Sequence, residues 1–219
     1  MSMASRWIYG IVAAGFVCWG IGVKAGPLPL DPNALGGIYQ GSVSFPTKVI
    51  GPSSLSADVD FAVYAPGHFN LSFPGQDPSG GTQWVYAYEV YSTSVAAGPS
   101  PASFFSVGIL PISGGPAAAG ATNIEHLPLV AGQAPGNSAF SSTSATWDFT
   151  AVPISLGSNS DILLFTSPHA PTMQSASVQG GGLGISHSLP SPVPEPSTFV
   201  LLAVGCVSVL VMRRLSARA

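Results

Sequence analysis

Alternation of hydrophobic and polar positions is clearest in residues 84–92, which read WVYAYEVYS. Trp84, Tyr86, Tyr88 and Val90 fall on one face of an extended chain, and the intervening residues fall on the other. The stretch is also rich in the aromatic and β-branched residues that strands favour. The pattern therefore predicts a β-strand in the middle of the chain.

Shorter stretches of the same kind lie on both sides of it. They span residues 60–64, 69–73, 104–110, 145–152 and 161–166. Breaker segments rich in glycine and proline separate them, and no window of a dozen residues within 26–193 has a helical period. Short strands with frequent turns predict a mainly β body, an antiparallel β-sandwich of jelly-roll or immunoglobulin-like type.

The end of this body is polar and proline-rich. We expect GGGLG at 180–184 to be flexible, because it lacks the spacing of a dinucleotide site. Alternate prolines from residue 190 onward cannot join a central strand. The sequence thus predicts a β domain at 26–185, followed by an extended, accessible linker at 186–193.

Composition supports β structure and excludes one class of function. The chain has 26 glycines and 21 prolines among 219 residues, which disfavours long helices. Residues 26–193 contain one lysine, Lys48, and eight acidic residues. A body without a cationic surface cannot hold a phosphate backbone, so we expect no nucleic-acid binding.

The first 25 residues are typical of a secretory signal peptide. Arg6 supplies a positive charge, residues 7–23 are apolar, and Val23 and Ala25 fit the small-residue positions of a cleavage site. The alternative is an uncleaved N-terminal anchor. The apolar stretch is short for a bilayer, which requires about 20 residues, and this favours the signal peptide.

A second apolar segment lies near the end of the chain. Residues 198–212 are uncharged and mostly apolar, and Arg213 and Arg214 follow directly. As a helix the segment would measure about 22 Å, less than the roughly 30 Å hydrocarbon core, but arginines that snorkel to the headgroups offset part of the mismatch. It therefore predicts a single transmembrane helix that leaves the body outside the inner membrane. A buried core helix is the alternative.

Pro194-Glu195-Pro196, the apolar run and the arginine cluster, in this order, resemble the PEP-CTERM protein-sorting signal. The resemblance covers residues 194–219 only. It implies processing by an exosortase, a membrane-embedded cysteine peptidase of Gram-negative bacteria, and release to the cell surface or exopolysaccharide matrix. By position, the tripeptide would be the recognition element, the apolar run a transient membrane anchor and the two arginines the membrane stop.

Local motifs for catalysis are absent from the body. Both cysteines, Cys18 and Cys206, lie in the terminal segments, so the body has neither a disulfide nor a thiol nucleophile. No G-x-S-x-G, H-E-x-x-H, phosphate-loop or C-x-x-C motif occurs. The histidines are isolated in sequence: His68, His126, His169 and His187. We expect no enzymatic activity and no cofactor, with a hydrolase whose Ser-His-Asp triad is assembled by folding as an alternative.

Acidic residues offer one possible metal site. Asp58 and Asp60 share a strand face and could bind Ca²⁺ together with Asp148 or Asp161. No calcium-loop motif occurs, so a solvated edge is favoured and we predict no metal.

Aromatic residues offer one possible ligand platform. Trp84, Tyr86 and Tyr88 could stack on a sugar, although alternate strand positions favour a place in the core. Our expectation is a non-enzymatic protein that is exported by the secretion machinery and processed by an exosortase. A carbohydrate-binding module for exopolysaccharide is the alternative function.

Overall fold

The computed structural model describes residues 28, 39–93, 98–109, 120–128 and 132–193. The predicted signal peptide, the PEP tripeptide and the predicted transmembrane helix at 198–212 lie outside these residues. Within the described part, no helix is both long and apolar enough to cross a membrane.

Two antiparallel β-sheets make up the described part of the chain. The first has the strand order β1-β3-β4-β9-β6, with β2 also paired to β3, and the second has the order β11-β10-β5-β8-β7. The strands of the first sheet are β1 (Gln40–Ser44), β2 (Lys48–Ile50), β3 (Ser53–Tyr64), β4 (Trp84–Thr93), β6 (Thr122–Leu127) and β9 (Ile162–Ser167). Those of the second are β5 (Phe104–Gly108), β7 (Asn137–Phe140), β8 (Ser144–Asp148), β10 (Pro171–Gly180) and β11 (Leu183–Pro192). The predicted mainly β, antiparallel body is confirmed, and it fits a β-sandwich.

Strand β4 runs through the first sheet as its alternation predicts. Tyr86 and Tyr88 belong to the main core, which both sheets share, and Trp84 packs against that core. Val85 and Ala87 point to the other face, where they join a smaller cluster that includes Phe69. The first sheet is therefore buried on both faces around β4. The main core covers its inner face, and the smaller cluster covers its outer face.

Aromatic rings join the two sheets. The ring of Tyr88 contacts those of Phe105 and Trp147 on the second sheet, with centroid distances of 5.7 and 6.1 Å. On the first sheet, Phe165 stacks on Tyr86 at 5.0 Å. Each of these aromatic side chains is fully buried, and together they fill the centre of the sandwich.

Residues 69–73 form a short helix instead of the predicted strand. Helix α1 spans Phe69–Ser72, and the backbone N–H of Phe73 donates to the carbonyl of Phe69 at 2.8 Å. The sequence FNLSF fits both a strand and a helical turn, because aromatic residues recur at positions i and i+4. Packing decides between them: the rings of Phe69 and Phe73 stack at 4.8 Å and both contact Tyr64.

A tight hairpin joins β10 to β11, where flexibility and a linker were predicted. Gly181 and Gly182 connect the strands with φ angles of 56° and 78°. Two consecutive residues with positive φ are characteristic of the type I′ turn, whose twist suits a two-residue hairpin. Gly180 and Leu183 form the closing pair of the ladder.

Residues 186–192 consequently lie in strand β11 and not in a linker. Pro171 of β10 pairs with Pro192, and the N–H of Val193 bonds to the carbonyl of Ala170 at 3.3 Å. Residues 189–192 are all buried. The prolines are tolerated because β11 is an edge strand and the nitrogens of Pro190 and Pro192 face away from β10.

Replacement of the turn glycines is expected to destabilise the domain unequally. A Cβ at Gly182 would contact nothing within 4 Å, so Gly182→Ala should cost about 1–2 kcal/mol from the left-handed backbone alone. A Cβ at Gly181 would lie 2.2 Å from the Ser100 hydroxyl, so Gly181→Ala should cost more. Denaturant unfolding measures both free energies. Gly182→Asn is the control and should cost less than Gly182→Ala, since Asn tolerates this conformation.

Candidate functional site

The predicted sugar platform lies in the core. Tyr86 and Tyr88 have no exposed surface, and Trp84 is half-buried against the main cluster. Burial also raises the pKa of both tyrosines well above its ordinary value. Tyr86 and Tyr88 cannot stack on a ligand, because the second sheet covers their face of β4.

The two tyrosines have a structural role. The hydroxyl of Tyr88 donates to the carbonyl of Pro190 at 2.5 Å, and that of Tyr86 donates to the carbonyl of His169 at 2.7 Å. Each bond runs from β4 in the first sheet to the backbone at one end of the β10–β11 hairpin. In the Tyr88 bond, a buried hydroxyl and a buried carbonyl thus satisfy each other across the two sheets.

The predicted sorting residues, Pro194, Glu195, Pro196, Arg213 and Arg214, lie outside the described residues. The last described residue, Val193, directly precedes the tripeptide.

His126 has a carboxylate as a hydrogen-bond partner. Its Nδ1 lies 2.8 Å from Oδ2 of Asp161, which is buried, while the imidazole remains about one-third exposed. The other three are placed differently: His68 precedes α1, His169 lies between β9 and β10, and His187 packs its ring against Phe45 on the edge strand. Folding therefore assembles one acid–histidine pair that the sequence did not reveal.

The pair has the first two members of a hydrolytic triad but lacks the third. A carboxylate that binds Nδ1 orients an imidazole so that Nε2 can act as a general base. Among the described residues, no serine or threonine hydroxyl hydrogen-bonds to His126. This arrangement orients a histidine and provides no nucleophile for it.

Asp161 also belongs to a group of buried acids on the outer side of the first sheet. We call Asp60, Glu89 and Asp161 the acidic cluster; each is at most 3% exposed. Asp60 and Glu89 are direct neighbours in the β3–β4 ladder, and both Asp60 and Asp161 act electrostatically on Glu89. The amide of Asn159 donates to Oε1 of Glu89 at 2.6 Å. Three carboxyl groups thus share one largely dehydrated region.

Burial raises the pKa of Glu89, and repulsion from Asp60 and Asp161 adds to this effect. The hydrogen bond from Asn159 acts in the opposite direction. The hydroxyl of Tyr91 lies beside Glu89 without reaching hydrogen-bond geometry to a described residue, and burial raises its pKa as well. The cluster therefore favours a protonated Glu89 relative to the unfolded chain.

The residues of the calcium hypothesis are divided between the two sheets. Asp148 ends strand β8 in the second sheet, whereas Asp58 and Asp60 lie in β3 of the first. Asp161 does lie near Asp60, but no group of three acidic, histidine or cysteine side chains in the described ranges is arranged to hold a metal ion.

Two antiparallel sheets around an aromatic core define this protein as one of the mainly β, sandwich-like class. No protein-family model, curated protein or solved structure matches the chain.

The sequence contained a weak signal for the acidic cluster. Glu89 interrupts the face of β4 on which Val85 and Ala87 are apolar. In a strand that is buried on both faces, a charged residue requires polar neighbours. Asn159 and Asp161 could not be assigned to it, because they are 70 or more positions away along the chain.

Removal of the Tyr88 hydroxyl should weaken the domain. Tyr88→Phe leaves the carbonyl of Pro190 buried without its partner, which should cost about 1–3 kcal/mol of unfolding free energy. Tyr86→Phe is the comparison variant and should cost less, since its bond to His169 is only partly buried and water can reach the half-buried acceptor residue. Urea unfolding with near-ultraviolet circular dichroism measures the loss. Unchanged stability of both variants would mean that these bonds contribute nothing.

Neutralisation of Glu89 should stabilise the domain at neutral pH. Because its pKa is raised on folding, its contribution to stability is greatest below about pH 4.5 and is lost as the pH rises through the folded-state pKa. Glu89→Gln keeps an acceptor for Asn159 and removes the charge. Unfolding midpoints from pH 4 to 8 should therefore decline less in the variant than in the wild type. A variant that is less stable than the wild type at pH 7 would contradict this account.

Proposed function

We propose that this protein is an exported, non-enzymatic β-sandwich protein that its C-terminal tail holds at the inner membrane. An exosortase then removes the tail and the body passes to the cell surface or the extracellular matrix. The two terminal signals carry this proposal, since a signal peptide and a PEP-type tail on one chain serve a single route.

One structural observation supports the proposal most directly. Strand β11 ends at Pro192, and the sorting tripeptide begins at residue 194. The ladder to β10, the Tyr88 bond and a 2.6 Å bond from the Ser191 hydroxyl to the Gly108 carbonyl hold this strand. A peptidase requires an extended, unpaired substrate. The last described strand ends before the tripeptide, so removal of the tail would leave every described strand in place.

The strand order favours the jelly-roll type over the immunoglobulin-like type. From β4 to β11 the chain passes back and forth between the sheets. Of the described strands in this part, only β7–β8 and β10–β11 are successive strands that pair within one sheet. Frequent crossing of this kind is characteristic of jelly rolls, whose successive strands alternate between two sheets.

The absence of enzymatic activity is part of the proposal. The acid–histidine pair has no nucleophile among the described residues, and the acidic cluster is buried away from solvent. The exposed imidazole of His126 thus has no nucleophile to activate among these residues, and the acidic cluster is not accessible to a substrate.

Replacement of the tripeptide should block processing. In a host that carries an exosortase, the wild-type protein should lose its tail, and its intact mass should place the new C-terminus at or beyond Val193. The variant with Pro194, Glu195 and Pro196 all changed to Ala should keep its tail and remain in the membrane fraction. Cell fractionation and intact-mass measurement follow both outcomes.

Pro192→Ala is the matched control, because it removes a proline that lies in β11 and outside the motif. It should be processed like the wild type. Full-length, cytoplasmic protein in both the wild type and the triple variant would refute the proposal.

A further inference from the structure

The outer face of the second sheet carries a row of hydroxyl groups. Strand pairing places Ser186, Ser177, Ser106 and Thr146 side by side on β11, β10, β5 and β8. We call these four residues the hydroxyl row. The hydroxyls of Ser106 and Ser177 are 2.8 Å apart, and that of Thr146 donates to the carbonyl of Ala139 at 2.9 Å. None of the four is buried, so they form an ordered polar line at the surface.

A second row lies next to it. Gln179, Phe104, Asp148 and Asn137 are neighbours in the ladder on β10, β5, β8 and β7, and we call them the platform row. Phe104 is half-buried and belongs to neither core cluster, so its ring lies on this outer face. Gln179 and Asn137 are exposed on either side of the pair formed by Phe104 and Asp148.

The carboxylate in the platform row is held in place. Oδ1 of Asp148 accepts a hydrogen bond from the backbone N–H of Thr150 at 2.7 Å. Hydrogen bonds from Thr150 hold the pKa of Asp148 below its ordinary value. The row therefore offers a fixed anionic acceptor between an aromatic ring and an amide that can both donate and accept.

This combination of groups suits a sugar chain. Sugar hydroxyls need hydrogen-bond donors and acceptors that lie close together. The apolar face of a sugar ring packs on an aromatic side chain. Ligand sites in general combine apolar contact with a few well-placed polar groups in this way. Neighbouring strands lie about 4.8 Å apart, so a row across four strands is about 14 Å long. An extended chain of several sugar units fits along it.

Charge decides which polymer fits. Asp148 is the one charged residue in the two rows, and Lys48 is the single lysine of residues 26–193. An anionic polymer would meet a carboxylate and no cation, which disfavours it. A second copy of this chain is also disfavoured, because homodimer interfaces have an apolar centre and these rows contain one half-buried ring. A neutral polysaccharide needs no opposite charge.

We propose that the platform row and the hydroxyl row form a binding surface for a neutral polysaccharide chain, which packs on Phe104 and hydrogen-bonds to Gln179, Asp148 and Asn137. The surface belongs to the described body, so the proposal does not depend on whether the tail is processed.

Affinity electrophoresis of the full chain in mild detergent tests this surface. The probes are dextran, hydroxyethyl cellulose and glucomannan as neutral polysaccharides and alginate as an anionic one. At least one neutral polymer should retard the wild-type protein, and alginate should not. Phe104→Ala and the double variant Gln179→Ala with Asn137→Ala should each raise the Kd at least tenfold.

Gln76→Ala is the matched control, because Gln76 is an exposed amide on the loop after α1 and lies far from these rows in the chain. It should bind like the wild type. The double variant changes exposed residues only, so it keeps the test valid if Phe104→Ala unfolds. Retardation by none of the neutral polymers, preference for alginate, or unchanged binding by a folded double variant would overturn the proposal.

Discussion

Burial of tyrosine side chains between the two sheets is the interaction on which the rest of the structure depends. The described body has no cysteine and only 7% of the whole chain is charged, so neither disulfides nor ion-pair networks can hold the sheets together. Tyr86 and Tyr88 provide large apolar rings, and their hydroxyls donate to the carbonyls of His169, just before β10, and of Pro190 in β11. The buried ring of each tyrosine thus stabilises the packing of the two sheets, and its hydroxyl fixes their relative position. A leucine would contribute to packing but could not form the hydrogen bond.

The class of fold was predictable because its cause is local. Alternation along β4 and frequent breakers follow directly from the period of a strand and from backbone restrictions at proline and glycine. Three details depended on tertiary context. Residues 69–73 became a helix because Phe69 and Phe73 pack together on Tyr64. The glycines at 181 and 182 became a turn because flanking segments pair, and the prolines of β11 were accommodated because that strand is at an edge.

The candidate site was less predictable for the same reason. The alternation correctly predicted that Trp84, Tyr86 and Tyr88 share one face of β4. It could not show that a second sheet covers that face. His126 and Asp161 are 35 positions apart, and Glu89 and Asn159 are 70 apart, so only the pairing of β4, β6 and β9 brings them together. The proposed sorting signal differs, because it is one short segment and its proposed recognition requires no contact with distant residues. Its information lies in residue order, which the sequence contains directly.

The edge strand β11 has a consequence for the protein in a crowded compartment. An open sheet edge is a template on which further chains can polymerise. Here Pro190 and Pro192 have no N–H to offer, Ser188 gives its N–H to the ring of His187, and the carbonyls of Pro190 and Gly184 accept hydrogen bonds from Tyr88 and Lys48. When copies of the domain are concentrated, these groups of β11 are unavailable to a further strand, so this edge is less able to template the pairing of another chain.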